Sequence, residues 1–454
     1  MPRELVKRVK DNHSCDLRAR TPYTKRRSGQ TDSDTVLHSN KFCWYIPPEL
    51  RDEVIDQLHA DRNALKACGL TCRAWLPRSR YHLFRSITLD PGHIGDAFRR
   101  LIHSSPIIAT YVKDVEILGN SGTRSPWDSN PFISWPTLKQ APRGRGDTAA
   151  VETAAWLQRV LPSSTPSLQK VVSLKLTALT LSGSVTVALS PHFSCVTELV
   201  LDGCRGVAFA DVVGLLNSLP RLKTLRLLSA QWLPGHSSFT ETSQQSVIRL
   251  RRLEISRKID VAPLVSWMLS ANVHVEMVSL SCSLSGPKSV SAIRDLLHAT
   301  GSTLEYLTIG FEDTRDTTDI LQATHFDMTD SVRLRRLHIC CSSVEHSLML
   351  SSIRPSLSWI VILLSAAHAP HLEEITFAIR LADLRVLNLE GLDVVLSHTR
   401  FRSLRIVKFE VELHRDAPQA FNRDSVCDRM QAMHAKDVLR FEVCHSSRRT
   451  RRCY

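Results

Sequence analysis

One pattern recurs ten times along this chain: an apolar residue, two others, then apolar–any–apolar. The copies are Val112-x-x-Val115-x-Ile117, Val171-x-x-Leu174-x-Leu176, Val196-x-x-Leu199-x-Leu201, Leu222-x-x-Leu225-x-Leu227 and Leu250-x-x-Leu253-x-Ile255. They continue as Val275-x-x-Val278-x-Leu280, Leu304-x-x-Leu307-x-Ile309, Leu334-x-x-Leu337-x-Ile339, Leu372-x-x-Ile375-x-Phe377 and Leu404-x-x-Val407-x-Phe409. Counted at the fourth position, the steps are 59, 25, 26, 28, 25, 29, 30, 38 and 32 residues. The apolar–any–apolar end of each copy reads as a short strand with one buried face. Self-similarity at such a period constrains the fold, because one unit cannot bury its apolar face alone and must stack on its neighbours.

Helical patterns fill the gaps. Ala210 to Leu219, Asp260 to Ala271, Ser289 to Ala299 and Ser356 to His368 carry apolar residues at helical spacing. The last is apolar nearly all round and is expected to be the most buried. Strand-then-helix units of this length predict a curved solenoid with a parallel sheet on its concave side, and the spacing resembles that of leucine-rich repeats. The first step is close to two units, so either a degenerate unit or a long exposed loop lies near 119–147, where Pro, Ser and Gly gather around Trp127, Phe132 and Trp135. Leu384-x-x-Leu387-x-Leu389 fits the template but follows Ile375 too closely, and reads as a loop or the start of a helix. Ser425 to Ala435 is expected to form a helix before a final strand over 438–443.

Ahead of the repeats, residues 45–89 read as a helical module. Pro47 and Pro48 sit where proline is tolerated, just before or in a first helical turn. Leu50, Val54, Ile55 and Leu58 make one apolar stripe, and Leu65, Cys68, Leu70 and Cys72 a second. About 45 residues is near the size at which a lone core is marginal, so excess apolar surface points to a partner.

The run Ile46-Pro47-Pro48-Glu49-Leu50, the centre Cys68-x-x-x-Cys72-Arg73-x-Trp75 and the exit Leu83-Phe84 resemble an F-box, and Arg73 to Phe84 is similar to the modules of the large F-box families of mushroom-forming fungi. Ile46 and Thr71 depart mildly from the family pattern. The resemblance implies docking to a Skp-type adaptor, and through it to a cullin–RING ubiquitin ligase, with Ile46, Pro47, Leu50, Ile55, Leu58, Leu65, Leu70, Cys72 and Trp75 as the contact residues. The resulting fold class is α/β: an N-terminal helical F-box followed by a leucine-rich-repeat-like βα solenoid. The domain plan is a disordered basic tail at 1–43, the F-box at 45–89, the solenoid at 94–444 and a second basic tail at 445–454.

Charge and chemistry narrow the function. The net charge of +13 invites a nucleic-acid reading, but residues 1–43 carry ten Lys/Arg against five Asp/Glu and residues 445–454 four Arg and no acid. Nine of the thirteen charges therefore sit in the tails. The middle residues of the ten strands form an outward column: Glu116, Lys175, Val200, Arg226, Glu254, Ser279, Thr308, His338, Thr376 and Lys408. Its mixed signs suit a protein target better than a phosphate backbone, and Arg226, Glu254, Thr308, His338, Thr376 and Lys408 are the candidate target-binding residues. No phosphate loop, zinc spacing, nucleophile elbow or other catalytic constellation is present, so neither catalysis nor a cofactor or metal is expected. No stretch reaches the roughly 18 apolar residues of a membrane span, and twelve scattered cysteines suit a reducing compartment, cytoplasmic or nuclear. The expected function is substrate selection for a Skp–cullin–F-box ligase. The alternatives are an F-box scaffold outside a ligase, or a nucleic-acid-associated protein acting through its basic tails.

Overall fold

The computed structural model describes residues 47–91, 93–119, 145–161, 168–204, 208–230, 232, 248–256, 259–270, 273–311, 317–324, 326–341, 357–413 and 421–445. Residues 49–454 form one compact unit. Its spine is a sheet of twelve strands in sequence order, and every neighbouring pair is parallel. The strands are β1 (Ser86–Leu89), β2 (Asp114–Leu118), β3 (Ser173–Thr177), β4 (Glu198–Asp202), β5 (Thr224–Leu228) and β6 (Ile248–Ile255). They continue as β7 (Val273–Leu284), β8 (Tyr306–Phe311), β9 (Arg336–Cys340), β10 (Glu374–Arg380), β11 (Ile406–Leu413) and β12 (Leu439–His445).

Parallel neighbours require a crossover between strands, and among the described residues helices lie in every crossover except that from β5 to β6. Ahead of the sheet come α1 (Pro48–Gln57), α2 (Arg62–Thr71) and α3 (Leu76–Arg85). Within it lie α4 (His93–Ser104), α5 (Arg145–Val160), α6 (Gly183–Leu189), α7 (Phe209–Asn217), α8 (Ala262–Met268), α9 (Gly286–Thr300), α10 (Thr317–Ala323) and α11 (Ser358–Ala366). The series closes with α12 (Leu381–Leu384), α13 (Leu389–Leu396), α14 (Arg423–Arg429) and α15 (Gln431–Ala435). The α/β class and the repeating strand–helix order expected from the periodicity are therefore present. In α11, Trp359, Ile360, Leu363 and Leu364 are buried, and the Trp359 ring meets Phe311 edge-on at 4.6 Å.

The repeat positions explain the core. Leu174, Leu199, Leu225 and Leu253 are partners on adjacent strands, as are Leu307, Leu337, Ile375 and Val407. All are buried and belong to one continuous apolar cluster that runs from Leu89 to Leu439. In five of the copies the first apolar residue closes a turn on another core residue three positions earlier: Val171 donates to Leu168, Val196 to Phe193, Leu222 to Leu219, Leu372 to Ala369 and Leu404 to Phe401. At the C-terminal end the inward column becomes aromatic. Phe377 stacks on Phe409 at 5.1 Å, Phe409 on Phe441 at 5.8 Å, and Phe421 tilts against Phe441 with Arg423 over the same ring.

Three details differ from the sequence expectation. The sixth copy is displaced by two residues: Leu280 pairs with Leu253, and its companions are the buried Met277 and Cys282, while Val275 and Val278 are only half-buried. β7 carries two more residues than β6 between Leu250/Val275 and Arg252/Ser279, and this irregularity moves the register. With Leu280 in place the flanking steps are both 27 residues. Second, β2 bonds directly to β3, so no further rung enters the sheet across the long first step, whose described residues include α5. The expected loop aromatics Trp127, Phe132 and Trp135 lie outside the described residues. Third, residues 86–89, read as the end of the F-box, are the first rung of the sheet. Apart from these three, the helix expected over 425–435 is broken at Met430 into α14 and α15, while Leu384 to Leu389 forms the turn and helix start expected from the sequence.

Strand ends follow a backbone rule. Ala178, Gly203 and Ser229 each follow the last residue of β3, β4 and β5, and take φ of 54°, 64° and 57°. Gly119 occupies the same place after β2, where an added Cβ would collide with the Ala178 carbonyl. Chemical denaturation of the intact chain should show Leu225→Ala lowering stability by about 3 kcal/mol and Gly119→Ala by about 2 kcal/mol. Ala178→Gly should be neutral or stabilising by up to about 1 kcal/mol, because it relieves a left-handed residue at some entropic cost.

Candidate functional site

The three opening helices are built from short sequences with clear local signals. Asp61 caps α2, its carboxylate accepting from the Asn63 and Ala64 amides at 2.9 and 3.0 Å. Pro77 lies in the first turn of α3. Thr71 closes α2 by donating its hydroxyl to the Ala67 and Cys68 carbonyls. An ionic lock ties α1 to α3. Asp56 accepts from Arg78 Nε at 2.6 Å and from its Nη2 at 2.5 Å, and His82 Nε2 lies 2.7 Å from the same carboxylate. The Arg78 guanidinium holds the Asp56 carboxyl far below the ordinary carboxylate range, with burial opposing and His82 assisting. Tyr81 then meets Tyr111 edge-on at 6.3 Å, fastening α3 to the turn before β2.

The structure divides the residues that the sequence assigned to adaptor docking. Leu50 is 58 % exposed and Leu70 88 %, with Val54 at 48 %. Cys72 and Pro47 are also exposed, while Leu58 and Trp75 are half-buried. Ile55 and Leu65 are fully buried. They hold the helices together and are unavailable to a partner, which corrects their assignment as contact residues. The reason is geometric: a helix with a wide apolar stripe turns one edge inward and leaves the other to solvent. Ile46 lies outside the described residues. Neither Ile55, Leu65 nor Cys68 joins the continuous core of the sheet, so the helices carry their own small interior beneath a solvent-facing apolar surface.

The second candidate is the sheet face that carries no helices. Strand pairing fixes its middle column as Thr88, Glu116, Lys175, Val200, Arg226, Glu254, Ser281, Thr308, His338, Thr376, Lys408 and Arg440. Ser281 replaces the expected Ser279 as a result of the β7 shift. Adjacent positions neutralise one another. Lys175 Nζ is 3.0 Å from Glu116 and 3.4 Å from Asp202. Arg226 Nε is 2.6 Å from Glu254, and Lys408 Nζ is 2.6 Å from Glu410 and 2.7 Å from Glu442. Burial alone would lower the Lys175 and Lys408 ammonium pKa values, yet the surrounding carboxylates raise both. The hydrogen bond that Arg226 donates to Glu254 does the same for its guanidinium.

Between these charged strands the column is neutral. Ser281, Thr308 and His338 are followed by Thr376, which is only 7 % exposed. Burial pushes the His338 imidazole pKa down, so the ring is neutral at pH 7, and its Nε2 has no partner among the described residues. The six residues assigned to target binding thus share one face, but Arg226 and Glu254 are engaged with each other, Lys408 is engaged with Glu410 and Glu442, and Thr376 is nearly covered. Both basic tails lie outside the described residues, apart from His445. Among the described residues no group of His, Cys, Asp and Glu could hold a metal ion, and no helix is long and apolar enough to cross a membrane. Every described cysteine is free, and burial pushes the Cys204 and Cys282 thiols up to about 12.

The Asp56 lock has a testable pH signature. Its carboxyl is depressed in the folded state, so its contribution is complete above the unfolded value near pH 4 and fades as pH falls below it. Asp56→Asn should lower stability at pH 7 by about 1 kcal/mol, and thermal melts of parent and variant should converge as the pH drops below about 4. Compared with known protein families and with curated proteins, the chain has no match.

Proposed function

We propose that this chain selects targets for a Skp–cullin–F-box ubiquitin ligase, with α1–α3 as an F-box and the twelve-stranded solenoid as the part that carries the target. The observation that supports this most is the exposure of Leu50, Val54 and Leu70 on two adjacent helices that have their own interior. Large apolar side chains left in solvent on a small helical module favour burial against a partner. The residues that carry the F-box resemblance, from Pro47 to Phe84, include these positions. In this reading the protein performs no bond chemistry. It raises the local concentration of a target beside a ubiquitin-charged enzyme, and the rate gain is one of proximity. The reading also puts the protein in the cytoplasm or nucleus, where such ligases work.

Capture of a purified Skp-type adaptor by the full chain tests the docking half. Leu50→Asp and Leu70→Asp should each weaken capture at least about tenfold, since each removes roughly 1.5–3 kcal/mol of apolar burial and places a charge in the interface. Both side chains are exposed in the free protein, so thermal unfolding should be unchanged. Leu65→Asp, by contrast, should destabilise the helices themselves. Absence of adaptor binding by the parent chain, or full binding by both surface variants, would sink the proposal.

A further inference from the structure

The cations of this protein fall into two populations. Those on the helix-free sheet face are paired, whereas three arginines at the edge where β9 and β11 begin, Arg335, Arg402 and Arg405, are not. Backbone bonds run through that edge: Arg335 donates to Glu305, Glu373 to Arg335 and Arg405 to Glu373, all at 2.8–2.9 Å. The chain therefore brings Arg335, Glu373 and Arg405 side by side, at the roughly 4.8 Å spacing of neighbouring strands. Arg335, Arg402 and Arg405 are exposed and make no ion pair among the described residues. Arg402, Arg405, His371, Ser403 and Glu373 line a cleft of about 430 Å³ at the start of β10 and β11.

We propose that this cleft, flanked by Arg335, receives an acidic segment of a captured protein. Unpaired guanidinium groups around a concave site are the donors that bind carboxylates in a bidentate manner. No intramolecular partner has to be displaced, unlike at Lys175, Arg226 or Lys408. Glu373 inside the cleft and Glu305 along the same edge argue against a continuous polyphosphate, which would meet repulsion at both. An interrupted acidic peptide can place neutral residues opposite them. The inference rests on the reading of the solenoid as the target-carrying part, and moves the recognition site from the sheet face to its edge.

The test is fluorescence anisotropy with the full chain and a labelled peptide of about twelve residues alternating Glu and Gly. Parent binding should be saturable and should weaken steeply with salt. The double variant Arg402→Glu/Arg405→Glu should lose at least about tenfold in affinity, and Arg402→Lys/Arg405→Lys should lose less. Lys408→Ala, on the sheet face, should stay within about twofold of the parent. The basic tails are common to all these proteins, so the ratios report on the cleft. Three results would overturn the proposal: no saturable binding by the parent, equal affinity after the double charge reversal, or tighter binding of a single-stranded oligonucleotide of equal charge that the reversal abolishes alike. No adaptor is present in this assay, so a failure of F-box docking would leave its outcome untouched.

Discussion

The stacking of inward-facing side chains from strand to strand holds the rest of the structure in place. Each rung offers two or three apolar residues to the core, such as Leu222, Leu225 and Leu227, and all three are buried because rungs on both sides cover them. A lone unit would leave that surface in water, at a cost of roughly 25 cal/mol for each Å². The helices add the second wall, and in several copies a buried turn residue three positions earlier, such as Phe193 or Phe401, adds to the core. The outer rungs face the problem of having only one neighbour. At the C-terminal end Phe421 and Arg423 cover the Phe441 ring, and α13 fixes the last helices: Asp393 accepts from the Ala432 and Met433 amides at 2.9 Å, and Arg429 grips Glu390.

The helix-free face obeys a different constraint. Side chains there are half-buried by their neighbours, so an unmatched charge would be poorly solvated. Opposite charges therefore meet across neighbouring strands, with Glu116 beside Lys175 and Arg226 beside Glu254. Pairs of this kind set local order more than they add stability. They also lessen the face's capacity to attract a charged partner, because its cations already have carboxylates within reach. Arg335, Arg402 and Arg405 at the strand starts form no ion pair among the described residues, and this contrast separates a structural charge pattern from one left available.

Much of this architecture was legible in the sequence. Strand order, parallel pairing and the alternation with helices follow from a repeated apolar template, because the period admits few other folds. Two failures have physical causes. In the sixth copy Val275 and Val278 satisfy the template as well as Met277 and Leu280, and only the pairing with β6 selects between them. In the opening helices, spacing identifies Leu50, Ile55, Leu65 and Leu70 as apolar but cannot tell which edge of a stripe turns inward. The edge cations were visible in the repeat as basic residues between its first and fourth positions, as in Leu222-Lys223, Leu250-Arg251, Leu334-Arg335 and Leu404-Arg405. A net charge averaged over the body conceals them, since acids elsewhere balance the sum.

The junction between α3 and β1 contains no spare residue: Arg85 ends the helix and Ser86 begins the strand. With Asp56 locked to Arg78 and Tyr81 leaning on Tyr111, the opening helices have little freedom to swivel about that point. Any molecule seated on Leu50 and Leu70 would thus inherit a fixed pose relative to all twelve rungs. The array would act as a stiff lever arm, and the reach of a cargo would be decided by which rung it sits on and not by diffusion of a tether.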